Sequence, residues 1–144
     1  NFADGSTNSF VVHVGEGLNA SALNEWNTLK SRASGCLIAP QTAVVHGTAF
    51  GTAEFTEMAT ANMKLVWSPK SNLFLYNDTA RIDLAIQAGL KTIALAPDWS
   101  LGGSVNLLDE LRTRRIVIPG ISVVERMAAE AMLRDVGAVA ARVR

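Results

Sequence analysis

The amino-acid sequence predicts an α/β fold, and more specifically part of a (β/α)8 TIM barrel followed by a C-terminal helix. Short apolar segments alternate four times with longer amphipathic segments, the pattern of a parallel sheet covered by helices. Polar residues follow all four apolar segments, beginning with His13, His46, Ser68 and Asp98. A barrel gathers such groups at one end, whereas an open sheet uses mainly the point where its strand order reverses. The pattern therefore favours a barrel, and four units make half of one.

The elements follow from residue type and periodicity. Strands are predicted over 10–12, 42–45, 64–67 and 91–95, and helices over 20–32, 52–62, 79–88 and 105–112. Thr52 is the predicted N-cap of the second helix, and Gly89 the predicted residue that stops the third. A further amphipathic helix is predicted from Ser122, which forms a capping-box pattern with Glu125.

Composition argues against several classes of protein. The chain has 144 residues, enough for one domain or part of a larger one, with 13 basic and 13 acidic residues. This balance argues against capture of nucleic acid or of an anionic membrane surface. Apolar segments fall short of the roughly 20 residues that span a bilayer, the start lacks signal-peptide features, and a lone cysteine forms no internal disulfide. We expect a cytoplasmic protein, truncated at its start because an initiator Met is missing.

Each candidate site residue also has an ordinary structural explanation. A single histidine such as His13 at a strand end is more often a hydrogen-bonded structural residue than a metal ligand. Glu16 is explained by the positive end of the next helix, and Asp98 by a turn or a cap. However, His13 and His46 are the only histidines, and both follow apolar strands and have a glycine within the next two residues. This repetition favours a shared site.

As a set, these residues suit a metal-dependent hydrolase. Imidazole nitrogens and carboxylates are usual ligands of zinc, and of iron in related sites. A bound metal makes hydroxide available near neutral pH, and hydrolysis of a C–N bond also needs a proton carrier. Glu16 suits the role of carrier, and His46 that of hydrogen-bond partner to the attacking hydroxide or the developing oxyanion.

Four segments carry a resemblance to a known family: HVGEG, VVHGTAF, VWSPKSNLFLY and APDWSLGGSVNLLDELR. In this order, and over residues 10–112, they resemble the amidohydrolase superfamily, in the branch of cytosine/adenosine deaminase-related metal-dependent hydrolases. The resemblance implies that the four strands correspond to barrel strands five to eight. It implies that His13 and Asp98 bind a divalent metal, zinc or alternatively iron. Glu16 would shuttle protons, His46 would contact water and substrate, and Asp98 would help deprotonate the water.

The resemblance also implies a pocket for a small-molecule substrate, an aminated heterocycle or an amide. Ser68, Ser71 and Asn72 follow the third predicted strand and Trp99 follows Asp98, so these four are the candidate substrate-binding residues. A structural turn is an equally good explanation of the first three.

The sequence departs from the family in two ways. The His-x-His pair that supplies two metal ligands from the first barrel strand is missing, which leaves His13 and Asp98 as the only assigned ligands. Three protein ligands are the usual minimum of a catalytic zinc site, so we expect the isolated chain to be inactive. The sequence thus divides into residues 1–112, the half-barrel, and 113–144, a basic turn and amphipathic helix. Within this tail, RRIVIPG-x-S-V-x-E-R resembles the N-terminal region of large transposases, and a divergent terminal helix is the alternative.

Three functional hypotheses remain open from sequence. The first is a fragment of a metal-dependent amidohydrolase. The second is a non-catalytic gene remnant, or a half-barrel that self-associates through its open sheet edges. The third is a DNA-binding module of mobile-element origin, against which the neutral net charge argues.

Overall fold

The computed structural model describes residue 2 and residues 6–32 and 37–113. The strands in this part are β1 (Phe10–Val14), β2 (Thr42–His46), β3 (Lys64–Trp67) and β4 (Thr92–Leu95). The helices are α1 (Ala20–Ser31), α2 (Thr52–Thr60), α3 (Pro69–Tyr76), α4 (Ile82–Gln87) and α5 (Leu107–Leu111).

The four strands form one parallel sheet in the order β1-β2-β3-β4, so each strand pairs with the next one in sequence. A doubly wound open sheet reverses its strand order at the point where it binds ligand, and this sheet has no such reversal within the described residues. Sequential order with a helix in every connection is the arrangement of a (β/α)8 barrel. The predicted fold class, a partial barrel, is confirmed.

One face of the sheet is buried against the helices. Val44 and Leu65, which pair in register, are both completely buried on this face. Phe50 lies at the centre of an aromatic group, with its ring centroid 5.2 Å from Trp26 and 5.8 Å from Phe55. Edge-on contacts of this kind add to the stabilisation that burial of the rings provides. This core fixes how β1 and β2 are held relative to α1 and α2.

The opposite face of the sheet is far less covered. His13, Val45, Val66 and Ala94 are aligned in register across the four strands on this face. Val11, one pleat earlier on β1, is 62% exposed. In a closed barrel this face lines the interior and is filled by side chains from all eight strands.

Several predicted boundaries differ from the structure. The N-cap of α2 is Gly51 and not Thr52, because the Glu54 side chain accepts a hydrogen bond from the Gly51 amide at 2.9 Å. The helix predicted over 52–62 ends at Thr60, and the one predicted over 79–88 begins only at Ile82. The helix predicted over 105–112 is limited to Leu107–Leu111.

The sequence does not predict α3, because a proline so soon after the third strand also fits a turn. Proline is instead well suited to the first turn of a helix, where its missing N–H costs nothing. The next amide, that of Lys70, donates to the carboxylate of the fully buried Glu110 at 2.7 Å. This acceptor comes from α5, 40 residues further along the chain.

Gly89 ends α4 as predicted, with a φ of 83° that favours glycine. The predicted helix from Ser122 and the transposase-like segment lie outside the described residues. Among the helices of residues 6–32 and 37–113, none has the length and apolar character to span a membrane.

Candidate metal and catalytic site

The loops that follow β1 and β2 meet at the carboxyl end of the sheet. The Gly47 amide donates to the Val14 carbonyl at 3.0 Å, and the Ala49 amide donates to the Gly15 carbonyl at 3.0 Å. Both glycines have positive φ, 71° at Gly15 and 58° at Gly47. A Cβ on Gly15 would lie 2.5 Å from the Phe50 ring. Glycine is therefore required where the backbone passes over Phe50, and this contact fixes the distance between the two loops and the Phe50 ring.

His13 and His46 reach the same space by different routes. His13 lies within β1, one residue before its end, and not beyond the strand as predicted. In the strand register it pairs with Val45, so strict alternation would turn His46 to the opposite face of the sheet. His46, however, has a φ of 76°, and this left-handed backbone breaks the alternation. Its ring centroid lies 5.0 Å from that of His13.

Asp98 completes a cluster with the two histidines. It lies three residues beyond the end of β4. One ligand atom from each of His13, His46 and Asp98 can be chosen so that all three lie within 4.8 Å of one another. His13 Nε2 and Asp98 Oδ1 are 4.0 Å apart, and the side chains are 59% and 16% exposed. Residues from both edge strands of the sheet thus converge on one point.

Glu16 lies beside this cluster without forming part of it. Its Oε2 is 3.5 Å from His46 Nε2, and its Oε1 accepts a hydrogen bond of 3.4 Å from the Tyr76 hydroxyl. Burial and the neighbouring Glu16 carboxylate raise the pKa of Tyr76 above its usual value, so Tyr76 keeps the proton that it donates. Glu25 accepts from the Gly15 amide at 2.8 Å and thereby anchors the turn that carries Glu16.

The His46 side chain is completely buried. Burial, the largest influence, lowers its pKa below the usual 6.5, although the Glu16 and Asp98 carboxylates oppose this effect. Its Nδ1 is 2.9 Å from Asn72 Nδ2, while its Nε2 makes no hydrogen bond within the described part of the chain. A buried, unpaired ring nitrogen that faces a carboxylate and a second imidazole is typical of a functional site.

The candidate substrate-binding residues lie at two depths. Ser68, Ser71 and Asn72 are all buried, and Ser68 Oγ donates to the Ala96 carbonyl at 2.8 Å. Trp99, in contrast, is 44% exposed at the carboxyl end of the sheet. Contact of these four residues with substrate stays a prediction.

Sequence reasoning missed Tyr76, the only tyrosine of the chain. It lies at the end of α3, the helix that was not predicted, so no local pattern indicated that it would reach Glu16.

The residues present fit a divalent metal. An imidazole nitrogen and a carboxylate oxygen are both suitable ligands of zinc. The two atoms are 4.0 Å apart, so both side chains lie close enough to hold the same ion. His13 and Asp98 are therefore the pair best placed to hold such an ion, and the unpaired Nε2 of His46 lies next to them.

Comparison with solved structures identifies the architecture. The chain is similar to atrazine chlorohydrolase TrzN from Arthrobacter aurescens TC1, a structure complexed with zinc, with a TM-score of 0.61 and 20% identity. A triazine hydrolase from the same species, modified for maximum expression in E. coli, gives the same TM-score and identity. The chain has the fold of part of a (β/α)8 barrel, as these hydrolases do.

Each match covers 77% of this chain and 25% of the other, so the chain spans about a quarter of the length of these hydrolases. Neither the protein-family models nor the curated proteins include a match to this chain.

Proposed function

We propose that this chain supplies one half of the active site of a metal-dependent hydrolase that acts on carbon–nitrogen bonds. The observation that supports this most strongly is the convergence of His13, His46 and Asp98 within 4.8 Å, with Glu16 only 3.5 Å from His46. Two of these four residues come from loops beyond the strands, and nothing in the packing of the sheet requires their side chains to meet.

His13 and Asp98 would hold the metal, with zinc as the first candidate. This choice is supported by their donor atoms and by the zinc in the TrzN structure. When bound, a divalent cation of this kind lowers the pKa of water and polarises the bond to be broken. The remaining ligands would come from outside these 144 residues, because both histidines are already used.

The other residues would handle protons and charge. Glu16 would carry a proton between water and the leaving nitrogen, since Tyr76 fixes one of its oxygens and the other points towards His46. His46, held in a dry environment, would donate a hydrogen bond to the oxygen on which negative charge develops. Trp99 would provide an apolar surface for a flat substrate, and an aminated heterocycle or an amide is the class that we propose.

Metal binding tests this proposal in the chain itself. Zn²⁺ is titrated into the chain by calorimetry, with and without a short peptide that contains His-x-His to supply the missing ligands. We expect the peptide to increase the apparent affinity for Zn²⁺. His13→Ala or Asp98→Ala should reduce that affinity at least tenfold, the lower limit for loss of even an indirect ligand contact.

Asp78→Ala is the matched control, because Asp78 is an exposed carboxylate away from the cluster. It should leave the affinity unchanged. If Asp98→Ala binds zinc as tightly as the unmodified chain, the assigned ligand pair is wrong. Hydrolysis that tracks bound metal in this chain alone would contradict the division of the site between two segments.

A second candidate function is a half-barrel that associates with a copy of itself. The poorly covered sheet face, where Val11 is 62% exposed, favours it. A non-catalytic role of this kind needs neither metal nor substrate, and it requires that the strands at the edges of the sheet pair with those of a second copy.

A further inference from the structure

A chain of three contacts leads from the buried face of the sheet to His46. The indole Nε1 of Trp67 donates to Thr79 Oγ1 at 2.6 Å. The Thr79 hydroxyl is 3.4 Å from Asn72 Oδ1, and Asn72 Nδ2 is 2.9 Å from His46 Nδ1. Residues from β3, α3 and the segment before α4 thus contribute to the surroundings of one imidazole ring on β2.

Trp67 fixes the direction of the first contact, and the Asn72 amide carries it to His46. An indole N–H donates and never accepts, so the oxygen of Thr79 must be the acceptor in the first contact. The proton of the Thr79 hydroxyl is then available to the Asn72 oxygen, which places the Asn72 amide N–H₂ towards His46. Because an amide nitrogen only donates, Nδ1 of His46 must accept, and a neutral imidazole then carries its proton on Nε2.

Burial keeps water away from the two ends of this row of contacts. Asn72 and His46 are 0% exposed, and Trp67 is 6% exposed. Water therefore does not compete for the contact between Asn72 and His46, whereas Thr79 is half-buried. Reversal of the Asn72 amide would leave the Thr79 hydroxyl proton without its acceptor on Asn72. The direction set at Trp67 is transmitted to the ring.

We propose that Trp67, acting through Thr79 and Asn72, holds His46 in the Nε2–H tautomer, so that His46 donates a hydrogen bond into the site and does not bind the metal. The Nε2 atom lies 3.5 Å from Glu16 Oε2, a group that only accepts when it is ionised. Of the three clustered residues, only His13 and Asp98 are then metal ligands. The tautomer stands without the proposed function, whereas its role in catalysis rests on that function.

The tautomer can be read directly from the ¹⁵N chemical shifts of the histidine rings in the metal-free chain. The chain has two histidines, and a His13→Gln variant assigns the remaining signals to His46. We expect one protonated and one unprotonated nitrogen for His46, with the proton on Nε2. A proton on Nδ1 in the unmodified chain overturns the proposal without any further variant.

Substitutions of the residues that form these contacts test whether the contacts set the tautomer of His46. Thr79→Val keeps the shape of Thr79 but removes its hydroxyl, so the His46 shifts should move towards an average of both tautomers. Thr79→Ser restores the hydroxyl and should restore the original shifts. The shifts of His13, which lies outside this chain of contacts, should stay unchanged in both variants.

Trp67→Phe provides a second variant in case Thr79→Val does not fold, and it should also release the tautomer. A folded Thr79→Val or Trp67→Phe chain in which the His46 shifts are unchanged would show that the contacts do not set the tautomer.

Added Zn²⁺ separates the tautomer proposal from the proposed metal site. It should shift the His13 signals and leave the His46 proton on Nε2. If zinc moves neither ring, the metal site fails while the tautomer stands, and if zinc displaces the His46 proton, His46 is a ligand and the tautomer proposal fails.

Discussion

At the scale of single residues, two glycines decide where the candidate site lies. Gly15 and Gly47 follow the two histidine-bearing strands, and both lie against the Phe50 ring. Phe50 is itself held by Trp26 and Phe55, so the loops rest on a rigid support. The site is thus positioned by the aromatic core below it.

This support predicts a large effect of Gly15→Ala. Gly89 is the matched control, because it also has a positive φ, 83°, but no atom within 4 Å of an added Cβ. Gly89→Ala should cost about 1–2 kcal/mol for the left-handed backbone alone. Gly15→Ala should cost about 1–3 kcal/mol more, because its Cβ would also collide with Phe50.

Urea denaturation of the two variants measures this difference. Equal losses of stability in both variants would show that Phe50 moves aside at no cost. The loops would then not be fixed by the aromatic group.

Individual residues differ in how far sequence could predict their place. His13, His46 and Asp98 were identified because residue type and position at strand ends are visible in the sequence. The approach of the His46 ring to His13 was not predicted. Alternation along β2 would place the His46 side chain on the other face of the sheet, and only the positive φ of His46 reverses this direction. The contacts of Tyr76 and Thr79 depend on tertiary packing that no local pattern records.

At the scale of elements, α4 is stabilised at its start by an ion pair. Arg81 precedes the helix and holds Asp83, in its first turn, with contacts of 2.9 and 2.6 Å. The hydrogen bond from Arg81 is the largest of the causes that lower the pKa of Asp83 below its usual 3.8. An ionised carboxylate near the helix N-terminus also interacts favourably with the helix dipole.

The stability from Asp83 should therefore depend on pH. Its pKa is lower in the folded than in the unfolded chain, so its contribution is complete above about pH 4 and is lost as pH falls through the folded value. Asp83→Asn should lower the urea midpoint at pH 7 by about 0.3 M, a modest loss because Arg81 is largely exposed. At a pH below the folded pKa of Asp83, the urea midpoints of the two proteins should differ much less. A difference in midpoint that stays constant with pH would contradict this role.

The prediction of elements succeeded where their signals are local. The four strands and the helix α1 were found because apolar spacing identifies them directly. The helix α3 was missed because its start depends on Glu110, which caps Lys70 from α5. Pro69 is compatible with both a strand end and a helix start, and only this distant carboxylate decides between them.

At the scale of the whole molecule, the sheet has two outer strands, β1 and β4, that pair on one side only within the described residues. Their outward-pointing amides should exchange hydrogen with solvent at least about a hundredfold faster than the amides of β2 and β3, which are bonded on both sides. Native-state hydrogen exchange measures this residue by residue.

The result also tests self-association. Strong protection of the outward amides of β1 and β4 would contradict open edges. Protection that rises with protein concentration would show that copies pair through these strands, as the second candidate function requires.

The partial barrel was predictable because the alternation of apolar strands with amphipathic helices is visible in the sequence. A full set of site residues was not predictable, because a barrel site is assembled from the ends of many strands and only four lie in the described residues.

The sheet order has a consequence for how this chain folds. Every strand pairs with its immediate successor, so the pairing of Phe10 with Thr42 needs nothing beyond α1 and its loops. The pairing of Lys64 with Thr92 can then follow without rearranging what has already formed. Each unit closes only a short loop onto an existing edge, which keeps the entropic cost of every step low. Synthesis from the N-terminus therefore presents the strands in the order in which the sheet can grow, one unit at a time as the chain leaves the ribosome.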